Sequence, residues 1–277
     1  MASNNNIQWD DEDSQYERDM VAATIRAEQE VEEERQLMDA AAHASQEARD
    51  ADDEDQLFMQ AAAQGQTVLV ASGDDGTQQT VGIGNLSSVT DINYLCSSGY
   101  VVCIGGTRLN LQFDGSGNAT QYLSETVWNT LGSSGGGASG GGRSRYVAKP
   151  AYQSGTGVPS DGLRDVPDVA AVADPGGPGA LLVVNGAIDK QTYGGTSLAA
   201  PMWAGVIALV NQYSSPGGIG WANPRLYQLG SAQHRSSSAP RVFNDVTAGN
   251  NATTRLPPTE ARELSPARLV RVGFPEL

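Results

Sequence analysis

Three apolar runs, Thr67–Ala71, Tyr100–Ile104 and Leu198–Tyr213, carry no alternation of polar and apolar residues. A strand without alternation has no wet face, so both of its faces must be covered. The two short runs are rich in β-branched residues and end in turns, Ser72-Gly73-Asp74-Asp75-Gly76 and Gly105-Gly106, so they read as buried strands. Pro167–Ala173 and Leu181–Val184 read as further strand pieces. Leu198–Tyr213 is apolar nearly all round and reads as a buried central helix. Another helix precedes the first strand and stops at Gly65, as a glycine C-cap stops it. This order predicts an α/β fold, a parallel sheet with helices on both faces.

Charge separates the chain into regions. Residues 1–60 hold 18 Asp and Glu against four Arg, whereas the rest holds 14 acidic against 13 basic residues. Residues 10–60 lack Gly and Pro and favour helix, so residues 1–54 read as an acidic helical segment with a solvated face. Residues 55–251 read as the folded domain. Residues 252–277, with Pro257, Pro258, Pro266 and four arginines, read as a divergent tail, poorly packed or extended. Residues 132–142 are nearly all Gly and Ser and read as a flexible loop. The acidity argues against nucleic acid as a partner, and no apolar run is long enough to predict a membrane span. Met1–Asn6 lacks the basic and apolar regions of a signal peptide. Cys96 and Cys103 lie seven residues apart and could pair across a turn, but two thiols decide nothing about compartment. Asn85, Asn118 and Asn251 open glycosylation sequons, which matter only in a secreted chain.

The strongest local signal is Gly194-Gly195-Thr196-Ser197-Leu198-Ala199-Ala200-Pro201. A glycine turn delivers Ser197 to the start of the buried helix, where unpaired N–H groups and the helix dipole favour developing negative charge. Such a serine suits attack on a carbonyl. Taken alone, it reads first as a helix N-cap. The whole octapeptide reverses that reading, because it resembles the nucleophile signature of the subtilisin-like clan. A subtilisin needs a histidine base in a His-Gly context, and the only histidines here, His43 and His234, lack it. Where subtilisins carry an oxyanion-binding asparagine, this chain carries Asp74. That exchange marks the sedolisins, serine-carboxyl peptidases with a Ser-Glu-Asp triad. The resemblance continues collinearly from about Asp55 to Asn251, through Ala71–Gly76, Tyr100–Leu109, Glu125–Asn129, Lys149–Gln153, Val166–Ala170, Ala173–Pro175, Asn223–Tyr227 and Phe243–Asn251. Ile7-Gln8-Trp9 is a weaker match to the family's Ser-Trp-Gly strand.

The resemblance implies a partial subtilisin-like fold and a role for each matching residue. Ser197 would form the acyl-enzyme. Asp74 would donate to the oxyanion, which it can do only when protonated, so the family works in acid. Asp245 and the carbonyl of Val246 would ligate Ca²⁺. Asp168 and Asp174 fall in matching blocks but read as structural. The substrate would be a peptide or denatured protein, the chain a monomer, and the location extracellular.

Three departures qualify this. The family's Glu-x-x-x-Asp base pair is not found in residues 1–60. The carboxylate pairs that have the spacing, Glu28/Glu32, Glu30/Glu34, Asp13/Glu17 and Asp50/Glu54, follow the Ile7-Gln8-Trp9 strand. The calcium loop lacks its closing Gly-Trp-Asp after Asn251, so binding should be weak or absent. No propeptide precedes the domain, which suggests a truncated, split or diverged gene product. The expectation is therefore an impaired acid peptidase, acting as an endopeptidase or tripeptidyl-peptidase, or alternatively a non-catalytic relative that only binds peptide.

Overall fold

The structure is a computed structural model describing residues 53–77, 92–133, 136–214, 216–236, 238–252 and 269–272, with scattered positions between 15 and 38. The chain divides into two units, Met1–Asp53 and Glu54–Leu277. In the first, the described positions are helical and exposed, and Arg35 pairs with Glu32 at 2.8 Å one turn away. His43, the Asn85 sequon and Ile7-Gln8-Trp9 lie outside the described residues.

The second unit is built on one mixed sheet. Helix α1 (residues 53–63) closes in a Schellman motif: Gln66 N–H bonds Ala61 O, Gly65 N–H bonds Ala62 O, and Gly65 takes φ 76°. Strand β1 (Val68–Ala71) then pairs in parallel with β2 (Val101–Phe113), which pairs in parallel with β6 (Val169–Val172). Beyond Thr107, β2 bends back as an antiparallel hairpin with β3 (Ala119–Val127), a feature the sequence reading missed. The remaining strands are β4 (Gly142–Ala148), β5 (Leu163–Val166), β7 (Ala180–Val184), β8 (Ala187–Tyr193), β9 (Phe243–Val246) and β10 (Leu269–Val272). β4–β5 and β7–β8 each form a separate two-stranded sheet.

Both faces of the sheet are covered, for the reason the apolar runs suggested. Val102, Ile104, Val169 and Ala171 point to one face and pack with Ala199, Trp203 and Ile207 of α3 (Thr196–Tyr213) and Leu226 of α4 (Asn223–Arg235). Cys103 points the other way, into a second cluster with Ile92, Val166 and Cys96 of α2 (Tyr94–Ser97). Cys96 and Cys103 form a disulfide buried in that cluster, so the chain has no free thiol. Cys96→Ala with Cys103→Ala is expected to cost about 2–4 kcal/mol, the usual worth of a native disulfide, read as a lowered urea midpoint.

Two expectations need correction. Helix α3 is not buried all round: Ala199, Trp203 and Ile207, spaced by four, reach the sheet, while Met202, Leu209, Val210 and Tyr213 are exposed. A helix lying on one face of a sheet can bury only one stripe, whatever its composition. The tail is not wholly unpacked either. Residues 269–272 enter the main sheet as β10, parallel to β6 at Val169 and antiparallel to β9 across Phe243–Val246.

Candidate active site

The parallel strands deliver their following loops to one end of the sheet. β1 ends at Ala71, where Ser72 N–H bonds Ile104 O at 2.9 Å and the chain turns through Gly73 at φ 99°. Asp74 stands at the top of this turn, half-buried. β6 ends beside it, and Ala173 O accepts Gly195 N–H at 2.6 Å. That bond ties the Gly194–Ser197 turn to the same end of the sheet. Gly194 has no room for a side chain, because a Cβ would sit 2.2 Å from Ala173 O.

Asp74 therefore meets the residue that precedes Ser197. Asp74 Oδ1 accepts the backbone N–H of Thr196 at 2.7 Å and its hydroxyl at 2.9 Å. The same hydroxyl oxygen accepts Gly73 N–H at 3.0 Å, which locks the Asp74 turn to the first residue of α3. Thr196 is buried and Ser197, next in the helix, is exposed. Asp74 Oδ2 faces Gly195, where a Cβ would lie 2.7 Å from it and where φ is 85°, so only glycine serves here. Ser197 sits in the first turn, ahead of the helical ladder, and its N–H is among those left for an outside acceptor. Pro201, four residues on, has no N–H for the Ser197 carbonyl. Thr196 escaped the sequence reading although it stands inside the signature. Its partner is 122 residues away, a distance no local pattern spans.

Residues 136–141 of the glycine-rich segment support this turn through backbone hydrogen bonds. Ala138 N–H bonds Asp74 O at 2.7 Å, Gly140 N–H bonds Gly73 O at 2.7 Å, and Gly76 N–H bonds Ala138 O at 3.0 Å. Residues 138–141 are buried. A Cβ at Gly137 would stand 2.8 Å from the Trp128 ring and 2.9 Å from Asp74 O. The absence of side chains, read from sequence as flexibility, is what lets one backbone lie against another.

Other candidates go elsewhere. Asp168 precedes β6, at the end opposite Ser197, and is fully buried with Arg164 in a two-point ion pair whose N–O distances are both 2.6 Å. Cys103 N–H and the Tyr227 hydroxyl also donate to it, at 2.8 and 2.9 Å. Burial works against the charge on Arg164, but the Asp168 carboxylate together with Tyr152 and Tyr227 outweighs it and raises the guanidinium pKa. Burial, helped by Asp168, also pushes up the Tyr152 and Tyr227 hydroxyls. Asp174 caps the turn after β6 through Gly176 N–H at 2.8 Å and pairs with Arg108 at 3.0 Å. His234, on α4, lines a surface pocket with Pro167, Asp168 and Tyr227, at the end opposite the Gly194–Ser197 turn. Glu54 accepts the Tyr94 hydroxyl.

Asp245 and Val246 lie in β9, bonded to β10. Among the described residues no three His, Cys, Asp or Glu side chains gather as a metal site. Calcium wants six or more oxygens, so one carboxylate and one neighbouring carbonyl do not fit it. Asn251 is buried, with its amide donating to Ser139 O and Gly141 O at 3.1 and 3.0 Å, so that sequon is closed to a glycan in the folded chain. Asn118 is exposed at the β2–β3 turn.

No protein-family model matches the chain. Kumamolisin of Bacillus sp. (strain MN-32) is 38% identical over 201 residues, covering 70% of this chain and 32% of kumamolisin. Sedolisin of Pseudomonas sp. (strain 101) is 38% identical over 202 residues, covering 72% and 32%. Tripeptidyl-peptidase 1 of Homo sapiens is 30% identical over 207 residues, covering 64% and 32%. Among solved structures, Pseudomonas sedolisin complexed with two molecules of pseudo-iodotyrostatin superposes with a TM-score of 0.58 at 35% identity, covering 73% of this chain and 51% of that one. The chain thus spans about a third of the length of these curated relatives.

Proposed function

The chain belongs to the sedolisin family of serine-carboxyl peptidases, carrying part of the peptidase domain, and on that footing we propose that it hydrolyses peptide bonds in acid through Ser197. The observation that carries this reading is the Thr196–Asp74 junction, which sets a carboxyl beside the turn that presents an exposed serine. Ser197 Oγ attacks the peptide carbonyl carbon. The resulting oxyanion takes hydrogen bonds from the protonated Asp74 carboxyl and the Ser197 N–H. The C–N bond then breaks, the amine leaves with a proton, and water releases the acyl group and restores the serine. A carboxyl donates only while protonated, which confines the reaction to acid.

The proton leaving Ser197 needs a base. No Glu-x-x-x-Asp pair occurs in residues 1–60, so hydrolysis should be slow, by ~10³-fold or more on the analogy of triad removal. No step runs through calcium. The substrate we propose is an unfolded polypeptide, cleaved internally or from its end as a tripeptide. The buried Cys96–Cys103 disulfide supports an oxidising, extracellular location.

Incubation with denatured casein at about pH 4, beside Ser197→Ala, tests the reading. Slow cleavage that vanishes in Ser197→Ala is the expected result. Equal silence from both would replace it with the second reading, a peptide-binding relative without catalysis, which the lack of a Glu-x-x-x-Asp pair in residues 1–60 favours.

A further inference from the structure

Among the described residues, hairpin β7–β8 is an apolar arm without a cover. Asn185 and Gly186 make its two-residue turn at φ 52° and 79°, the type I′ geometry of Asn-Gly hairpins. Val183 pairs with Ile188, and Leu181 stands two residues before Val183, across a register shift in the pairing. These three side chains are 63–69% exposed. Leu182 and Val184, on the other face, are exposed as well. Among the described residues no third strand joins the hairpin. A lone two-stranded hairpin is marginal in water, and an exposed cluster of large aliphatic residues marks a contact surface.

The root of the arm says what lies on it. The hairpin leaves β6 at Ala173–Pro175 and returns into Gly194–Ser197. Thr192 Oγ donates to Pro175 O at 2.6 Å, and Gly195 N–H to Ala173 O at 2.6 Å. The arm is therefore clamped to the segment that carries Ser197, which makes a polypeptide at that serine the nearest occupant for it. Its unpaired strand edges offer N–H and C=O groups to an extended chain, and its aliphatic face rewards apolar side chains at alternate positions.

We propose that the β7–β8 arm binds an extended, aliphatic stretch of the substrate polypeptide by strand addition, so that Leu181, Val183 and Ile188 set a preference for apolar sequence. The proposal rests on the peptidase reading for its occupant, but its test does not need turnover. In a Ser197→Ala background, a fluorescein-labelled octapeptide alternating valine and threonine is titrated by anisotropy, beside an all-serine/threonine octapeptide. The valine peptide should bind about 10-fold tighter or more. Leu181→Thr/Val183→Thr/Ile188→Thr should erase that difference, and Val183→Thr alone should reduce it. Threonine keeps strand propensity, and near-ultraviolet circular dichroism checks that each variant folds. A preference for the valine peptide that survives unchanged in the triple variant, or no preference in the parent, overturns the proposal. So does light scattering showing a dimer that the triple variant dissolves without any change in peptide affinity, since the occupant is then a second copy. Peptide preference without Ser197-dependent cleavage of casein would sink the peptidase reading and leave the arm standing.

Discussion

Asp168→Ala is expected to lower stability by about 3–5 kcal/mol, which for a unit of this size drops the melting temperature by roughly 10 °C. The substitution leaves the Arg164 guanidinium, fully buried, without the carboxylate that meets it at two points. It also strands the Cys103 N–H and the Tyr227 hydroxyl, both of which donate to Asp168. Each buried donor left alone adds to the loss. The pair itself need not be net stabilising, since two desolvated charges offset most of their own attraction. Arg164→Met with Asp168→Leu should therefore recover much of what the single variant loses. Calorimetry on the three proteins decides the matter. A single variant that melts within about a degree of the parent would mean that water reaches the pair. The pH sign is fixed by Arg164: its pKa is raised in the fold, so its contribution is whole at every pH below its unfolded value and fades only in strong alkali.

The second large effect falls on the proposed hydrolysis. Asp74→Ala should cut Ser197-dependent hydrolysis about 10²–10³-fold, the usual worth of one oxyanion donor. It removes the donor and also the acceptor for the Thr196 N–H and hydroxyl. Asp74→Asn separates these roles. The amide oxygen can still accept from Thr196, and the amide nitrogen, in the place of Oδ2, donates at every pH. Hydrolysis by Asp74→Asn should thus persist toward neutral pH where the parent falls off. A parent and Asn variant with identical pH profiles would show that Asp74 is not the oxyanion donor. An unchanged rate in Asp74→Ala would show that it only braces the turn.

Much of the fold was legible because burial leaves a short-range trace. The non-alternating runs at Val68–Ala71 and Val101–Ile104 proved to be parallel neighbours covered on both faces. Where the local trace was ambiguous, the reading erred. The Asn185-Gly186 turn, a hairpin signal in plain view, was passed over, and Leu181–Val184 became an exposed arm beside the site. The glycines of 136–141 carry the composition of a loose loop, yet they pack against Gly73 and Asp74. Only the partner backbone distinguishes the two cases.

From sequence alone came what depends on neighbours within a turn or a strand: the apolar runs, the glycine turn before Ser197, and the helix it opens. The tertiary structure decided the rest. Thr196 holds Asp74 across 122 residues, Arg164 finds Asp168 rather than water, Leu269–Val272 joins the sheet, and α3 keeps one face wet. Hydrophobic period and turn chemistry act over a few residues. Which distant groups meet is set by strand order and by the cost of leaving a buried polar group without a partner.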